Sequence, residues 1–226
     1  NLGDATGLDG HLLPGLEPNG VPRNLKGSSL PFSYNDFESL EQLMQQHEDI
    51  GVIKMEVSRS EPPKAGFLES VRKLASEKNI VLIFDECTSG FRETYGGLHS
   101  KYGVDPDMAI FGKAMGNGFP VAGMGGRADL MSRFSSAGGD VVLAGTFNGN
   151  PVSMAAAIET MTLITDPDVG FHAHSARLGE RMRDGLREIT GRLGIPATIT
   201  GLGSVFICYF MDGQIKGYRD LLRNND

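Results

Sequence analysis

Two short runs of consecutive apolar residues, at 80–84 and 108–111, lie in the middle of the chain. They are too short for helices and too continuous for half-exposed strands, so they predict buried strands of a parallel sheet. Ahead of them, Phe37, Leu40, Leu43 and Met44 share one helical face, in a helix starting at Asn35, which can cap with Glu38 three residues on. Residues 51–55 read as a short apolar strand ending on Glu56. Residues 66–78 then carry Phe67, Val71 and Leu74 at helical spacing. Strand, helix and strand in this order form a βαβ unit, whose crossover forces a parallel pair.

Further along, a Gly-rich loop at 89–103 leads to the strand before Lys113, and residues 121–125 predict another short strand. Asn150 caps an Ala- and Met-rich helix over 152–164, with Pro151 at its first position; its small, apolar residues predict that it is mostly buried. Asp166-Pro167-Asp168 breaks that helix. A more charged helix over about 171–190 is expected on the surface, and residues 197–210 read as two strands around Gly201 to Gly203. Residues 1–32, rich in Gly, Pro and Asn, read as an extended, loop-dominated entry segment.

With 226 residues, 40% of them hydrophobic, the chain is long enough for a packed core. A net charge of −7 and the lack of any Lys/Arg block argue against nucleic-acid or anionic-membrane binding as the main role. No apolar run reaches the length of a membrane span, so the cytosol is the expected compartment. Two cysteines, Cys87 and Cys208, are too few for a disulfide framework or a zinc site. The chain begins at Asn1 and ends on Asp226 after a polar run, as an excerpt of a longer protein would.

The candidate chemistry lies at two strand ends. Asp85 follows one apolar run and Lys113 follows the other, so both are expected at one rim of the sheet, where open α/β sheets bind ligands. An amine and a carboxylate so placed suit pyridoxal phosphate, the lysine forming a Schiff base and the aspartate keeping the pyridine nitrogen protonated. Asp85 and Glu86 could equally cap the next turn, and Lys113 could be a lysine extending from a loop into solvent. Gly112, Gly116 and Gly118 favour close approach of a ligand. His172 and His174 lack a third ligand nearby, and no metal site is expected.

These residues belong to a longer string of motifs: Ile83-Phe84-Asp85-Glu86, Ser89-Gly90-Phe91-Arg92, Tyr102-Gly103-Val104-Asp105-Pro106-Asp107, Phe111-Gly112-Lys113-Ala114-Met115-Gly116-Asn117-Gly118-Phe119-Pro120, Gly125-Gly126-Arg127 and Gly145-Thr146-Phe147-Asn148-Gly149-Asn150-Pro151. The string resembles the class III pyridoxal-phosphate aminotransferases, and within them glutamate-1-semialdehyde 2,1-aminomutase and its relatives, densely over residues 34–164. The resemblance implies an α/β fold, the fold-type I transferase large domain with a mostly parallel sheet flanked by helices. It implies Lys113 as the Schiff-base lysine, Asp85 as the partner of the pyridine nitrogen, and Thr146 as a phosphate ligand reaching across a homodimer with shared active sites. Cys87 stands where the family usually has Val, Ile or Ala, packing against the cofactor ring. Glu56 resembles a strand-end glutamate of the family, but Val57 follows where a proline is usual.

The same resemblance assigns residues 1–165 to part of the cofactor-binding large domain and 166–226 to the start of the small C-terminal domain. The family's phosphate-cradling Ser-Gly loop and ring-stacking aromatic residue have no candidate in this chain, as expected of a fragment lacking the N-terminal part. The implied reaction is transfer of an amino group between small amino and oxo compounds, or within one molecule. Three alternatives stay open at this point: an aminotransferase with a different amino donor, a truncated non-catalytic remnant, and an α/β binding module without covalent chemistry. Arg92 and Arg127 are read as structural.

Overall fold

The computed structural model describes residues 27–58, 61–135, 137–215 and 218–221, together with Pro22 and Asn24. Most of the entry segment at 1–32 lies outside the described residues. A four-stranded sheet, β1 (Val52–Glu56), β2 (Val81–Asp85), β3 (Met108–Phe111) and β4 (Gly123–Gly126), runs in chain order across the molecule. The pairs β1–β2 and β2–β3 are parallel, as the βαβ reading requires, whereas β4 lies antiparallel against β3. Gly126 permits that pairing, since a Cβ there would stand 2.3 Å from the carbonyl oxygen of Asp107.

Helices α1 (Phe37–Gln46) and α2 (Phe67–Glu77) cover one face of the sheet. Leu40 and Met44 of α1 and Phe67, Leu68, Val71 and Ala75 of α2 meet Ile53, Met55, Leu82 and Phe84, all buried. Burying a side chain such as Leu82 or Phe84 stabilises the fold by roughly 1.5–3 kcal/mol each. The other face, which carries Lys54, Ile83 and Asp85, is only partly covered among the described residues, so β2 alternates between buried and half-buried positions rather than being buried throughout.

The cap of α1 differs from the expected one. Asp36, not Asn35, is the N-cap, its side chain accepting from the Ser39 N–H at 3.2 Å. Asn35 has a left-handed backbone, φ +62°, and its amide instead joins the backbone of Lys64 and Pro62 and the Glu61 carboxylate. Buried there, it ties the start of α1 to the segment that enters α2. A short helix, α3 (His99–Tyr102), interrupts the Gly-rich loop after β2, and Lys113–Gly116 form a 3₁₀ turn after β3, ahead of the short helix α4 (Ala128–Met131).

Helix α5 (Pro151–Thr165) starts as expected, with Asn150 accepting from the N–H groups of Val152 and Ser153 and Pro151 at the first turn. It is not mostly buried: Val152, Ile158 and Leu163 face solvent, while Ser153, Ala157 and Ile164 turn inward. The charged helix α6 (Phe171–Leu193) follows and lies largely exposed. A separate antiparallel hairpin, β5 (Thr198–Leu202) and β6 (Val205–Tyr209), packs on it, and Arg183 donates to the Gly203 carbonyl at the hairpin turn. Gly179 allows this approach, because a Cβ there would lie 2.2 Å from that same carbonyl oxygen. A final short helix, α7 (Tyr218–Leu221), completes the described residues.

Candidate functional site

The parallel register sets the geometry. Asp85 closes β2 beside Ile110, and Lys113 follows two residues after β3 ends at Phe111, so both emerge at the same rim of the sheet. They do not bond each other. Lys113 Nζ donates to Thr88 Oγ1 at 2.6 Å, while Asp85 Oδ2 accepts from Lys54 Nζ at 2.9 Å. The other oxygen of Asp85 accepts the Cys87 N–H at 3.1 Å. Burial raises the Asp85 carboxyl, but the hydrogen bonds from Lys54 and Cys87 and the Lys54 charge outweigh it and hold the group below the ordinary carboxylate value.

Cys87 stands within reach of both charges. Burial, then the Asp85 carboxylate, push its thiol up, against weaker downward pulls from Lys113 and Lys54. A Cβ on the buried Gly112 would lie 3.6 Å from Cys87 Sγ, so the strand end before Lys113 packs directly beside the thiol. Lys113 itself has a left-handed backbone, φ +46°, a conformation that non-glycine residues adopt at a cost. That twist turns its side chain out of the β3 direction, towards the loop that carries Thr88.

Glu86, one residue past Asp85, has the opposite fate. It is fully buried, and its carboxylate accepts from the N–H and ring Nδ1 of His99 at 3.0 and 2.9 Å and from the Ser89 hydroxyl. Burial would raise its pKa, yet these bonds together hold it below the usual range. Glu86 thus caps α3 and ties the loop at 86–99 to the sheet. Of the adjacent acids, Glu86 takes the capping role and Asp85 the rim.

The two arginines also separate. Arg127 bridges Asp107 and Asp129, and Asp107 in turn accepts from Arg72 and from the Leu82 N–H at the far end of β2, so Arg127 is structural as read from the sequence. Arg92 donates through Nε to the Thr88 carbonyl at 2.6 Å and also lines a cleft. The cleft, of about 810 Å³, opens between the Lys113 turn, α5 and the start of α6, with Lys113, Arg92, Phe119, Leu163, Phe171 and Ser204 in its walls. His172 reaches the Phe91 carbonyl and His174 meets Arg177; among the described residues no cluster suited to a metal ion occurs.

Asp85, Cys87 and Lys113 therefore gather at one rim, whereas Thr146 stands on the exposed turn before α5, with no bond to the other three among the described contacts. The sequence reading did not single out Lys54 or Thr88. Lys54 had a signal, a lone charge inside the apolar stretch 52–55, but its reach to Asp85 depends on strand pairing. Thr88 carried none.

The chain matches the family model described as aminotransferase class-III over residues 22–223. It is 41% identical over 196 residues to glutamate-1-semialdehyde 2,1-aminomutase of Citrifermentans bemidjiense, covering 84% of this chain and 45% of that protein. With the protein of the same name from Haloquadratum walsbyi it shares 40% identity over 205 residues, 86% of this chain and 45% of the relative. A solved omega-transaminase from Sphaerobacter thermophilus superposes with a TM-score of 0.79 at 34% identity, over 92% of this chain and 48% of that one. The chain thus spans about half the length of the proteins it matches.

Proposed function

Because this chain belongs to the class-III aminotransferases, we propose that it carries the lysine-bearing half of a pyridoxal-phosphate site that moves amino groups between small amino and oxo compounds, or within one, as an aminomutase does. The observation that carries this reading is the charged Asp85 carboxylate and the Lys113 amine at one strand rim, with Cys87 beside both. The donor set fits the group: a carboxylate held ionised suits a protonated ring nitrogen, and the amine at the neighbouring strand end suits an aldehyde. When bound, pyridoxal phosphate supplies that aldehyde and a protonated ring that draws electrons from the substrate's α-carbon.

The chain's residues divide the remaining work. Asp85 would hold the proton on the ring nitrogen through its negative charge. Lys113 Nζ would hold the group covalently and, once freed by an amino substrate, would be placed to take the proton from the substrate's α-carbon. In the free chain the Thr88 hydroxyl, 2.6 Å from Nζ, keeps the amine at the rim. Cys87 offers the ring a small, mostly protonated and therefore neutral packing surface.

Thr146 reads as a phosphate ligand delivered to the partner's site in a homodimer; its support is the 145–151 motif and its exposed turn ahead of a helix start. Residues 1–165 read as part of the cofactor-binding domain and 166–226 as the start of a second one. Supporting that division, the chain turns at Asp166 and then builds α6 and its own two-stranded sheet. The free thiols of Cys87 and Cys208 fit a reducing cytosol, and among the described residues no helix is long and apolar enough to cross a membrane.

The decisive experiment is borohydride reduction of the purified chain with pyridoxal phosphate, followed by peptide mass mapping, beside Lys113→Ala. Stoichiometric label on Lys113 that disappears in the variant supports the assignment. A folded chain that takes no label, alone or as part of a longer chain with the same 226 residues, rejects it.

A further inference from the structure

Asp85 already has a cationic partner. Lys54 lies in β1, flanked by the buried Ile53 and Met55, and so faces the side of the sheet away from the α1–α2 core. The register sets Lys54 opposite Ile83 and Glu56 opposite Asp85, so the Lys54 side chain must reach forward by two residues, roughly 7 Å along the strand, to place Nζ 2.9 Å from Asp85 Oδ2. A four-carbon stem spans that distance. The charged and titratable groups around Asp85 are therefore Lys54 and Glu56 from β1 and Cys87 next along the chain, with Lys113 acting on the same thiol from the end of β3.

We infer that Lys54 is a positioning residue for Asp85: its ammonium holds the carboxylate charged and fixed at the rim, and it competes with a protonated pyridine ring for that carboxylate. The inference rests on the reading of Asp85 as the partner of the ring nitrogen. An ionised carboxylate accepts about four hydrogen bonds, of which Lys54 and the Cys87 N–H use two, so a ring N–H can join without expelling either. Two cations then share one anion, and each disfavours the other. Lys54 thus guards the charge of Asp85 before the ring arrives and loosens the hold on the protonated ring afterwards. With 55% of its side chain exposed, Lys54 acts through a screened interaction, so the effect is modest and salt-dependent.

The test compares the cofactor-free chain with Lys54→Met and Lys54→Arg, folding being checked by far-UV circular dichroism. The Asp85 side-chain carboxyl carbon is titrated by NMR, assigned with Asp85→Asn, and pyridoxal phosphate affinity is measured across pH by equilibrium dialysis. In Lys54→Met the Asp85 midpoint should rise, and pyridoxal phosphate should bind about threefold more tightly, the size expected for an ion pair with one exposed partner. Lys54→Arg should follow the wild type, and high salt should narrow the difference. An unmoved midpoint overturns the inference. So does unchanged or weaker affinity in Lys54→Met when wild-type Lys113 is labelled by borohydride. Wild-type protein that binds and takes no label overturns the functional reading, and with it the competition for the ring, whatever the midpoint does.

Discussion

Asp85 and Glu86 are chemically alike and adjacent, yet strand alternation sends one to the rim and the other into the interior. Glu86 has its folded-state pKa depressed, so the stability it contributes is present above its unfolded value and is lost as the pH falls through the folded one. Glu86→Ala should leave the His99 and Ser89 donors unpaired and lower stability by about 3 kcal/mol in urea unfolding. Its stability should also depend less on pH on the acid side, because the titrating group has been removed. The rim positions of Asp85 and Lys113 were legible in the sequence because each follows a recognisable apolar run. The partners that hold them, Lys54 and Thr88, were not, since they lie 31 and 25 residues away and meet their targets only through strand pairing and a loop folded back on the rim.

The strands were legible as elements to within a residue or two, because apolar runs that short have few other uses. The antiparallel direction of β4 was not, since Val121 to Gly125 carry no mark of direction and only the close approach of Gly126 to the β3 backbone reveals it. Gly126→Ala should therefore cost about 2 kcal/mol in chemical denaturation, as overpacking against main chain. Caps were legible where the side chain had a single use. Asn150 caps α5, and Asn150→Ala should lower the melting point by an amount corresponding to about 1 kcal/mol. Asn35 met a competing demand, three bonds to the segment entering α2, and the neighbouring Asp36 took over the cap.

Across the whole molecule, one stretch of chain carries several strongly exposed large apolar side chains. Ile158 of α5 is 67% exposed, Val142 88% and Phe147 68%, all along residues 141–165. The composition of α5 was readable as that of an interior helix, but what covers such a helix is not written in its own sequence. Exposed apolar surface of this kind favours association. The purified chain should therefore sediment as a concentration-dependent mixture, with Ile158→Glu shifting it towards the monomer. The same molecule carries a lysine at a left-handed backbone position, where glycine alone escapes the Cβ penalty. At φ +46° a side chain costs about 1 kcal/mol, so Lys113→Gly should melt above Lys113→Ala, both having lost the bond to Thr88. If Lys113 is the Schiff-base lysine, as proposed, the strain of its left-handed backbone is one that the site keeps for its chemistry, with the bond to Thr88 offsetting part of it.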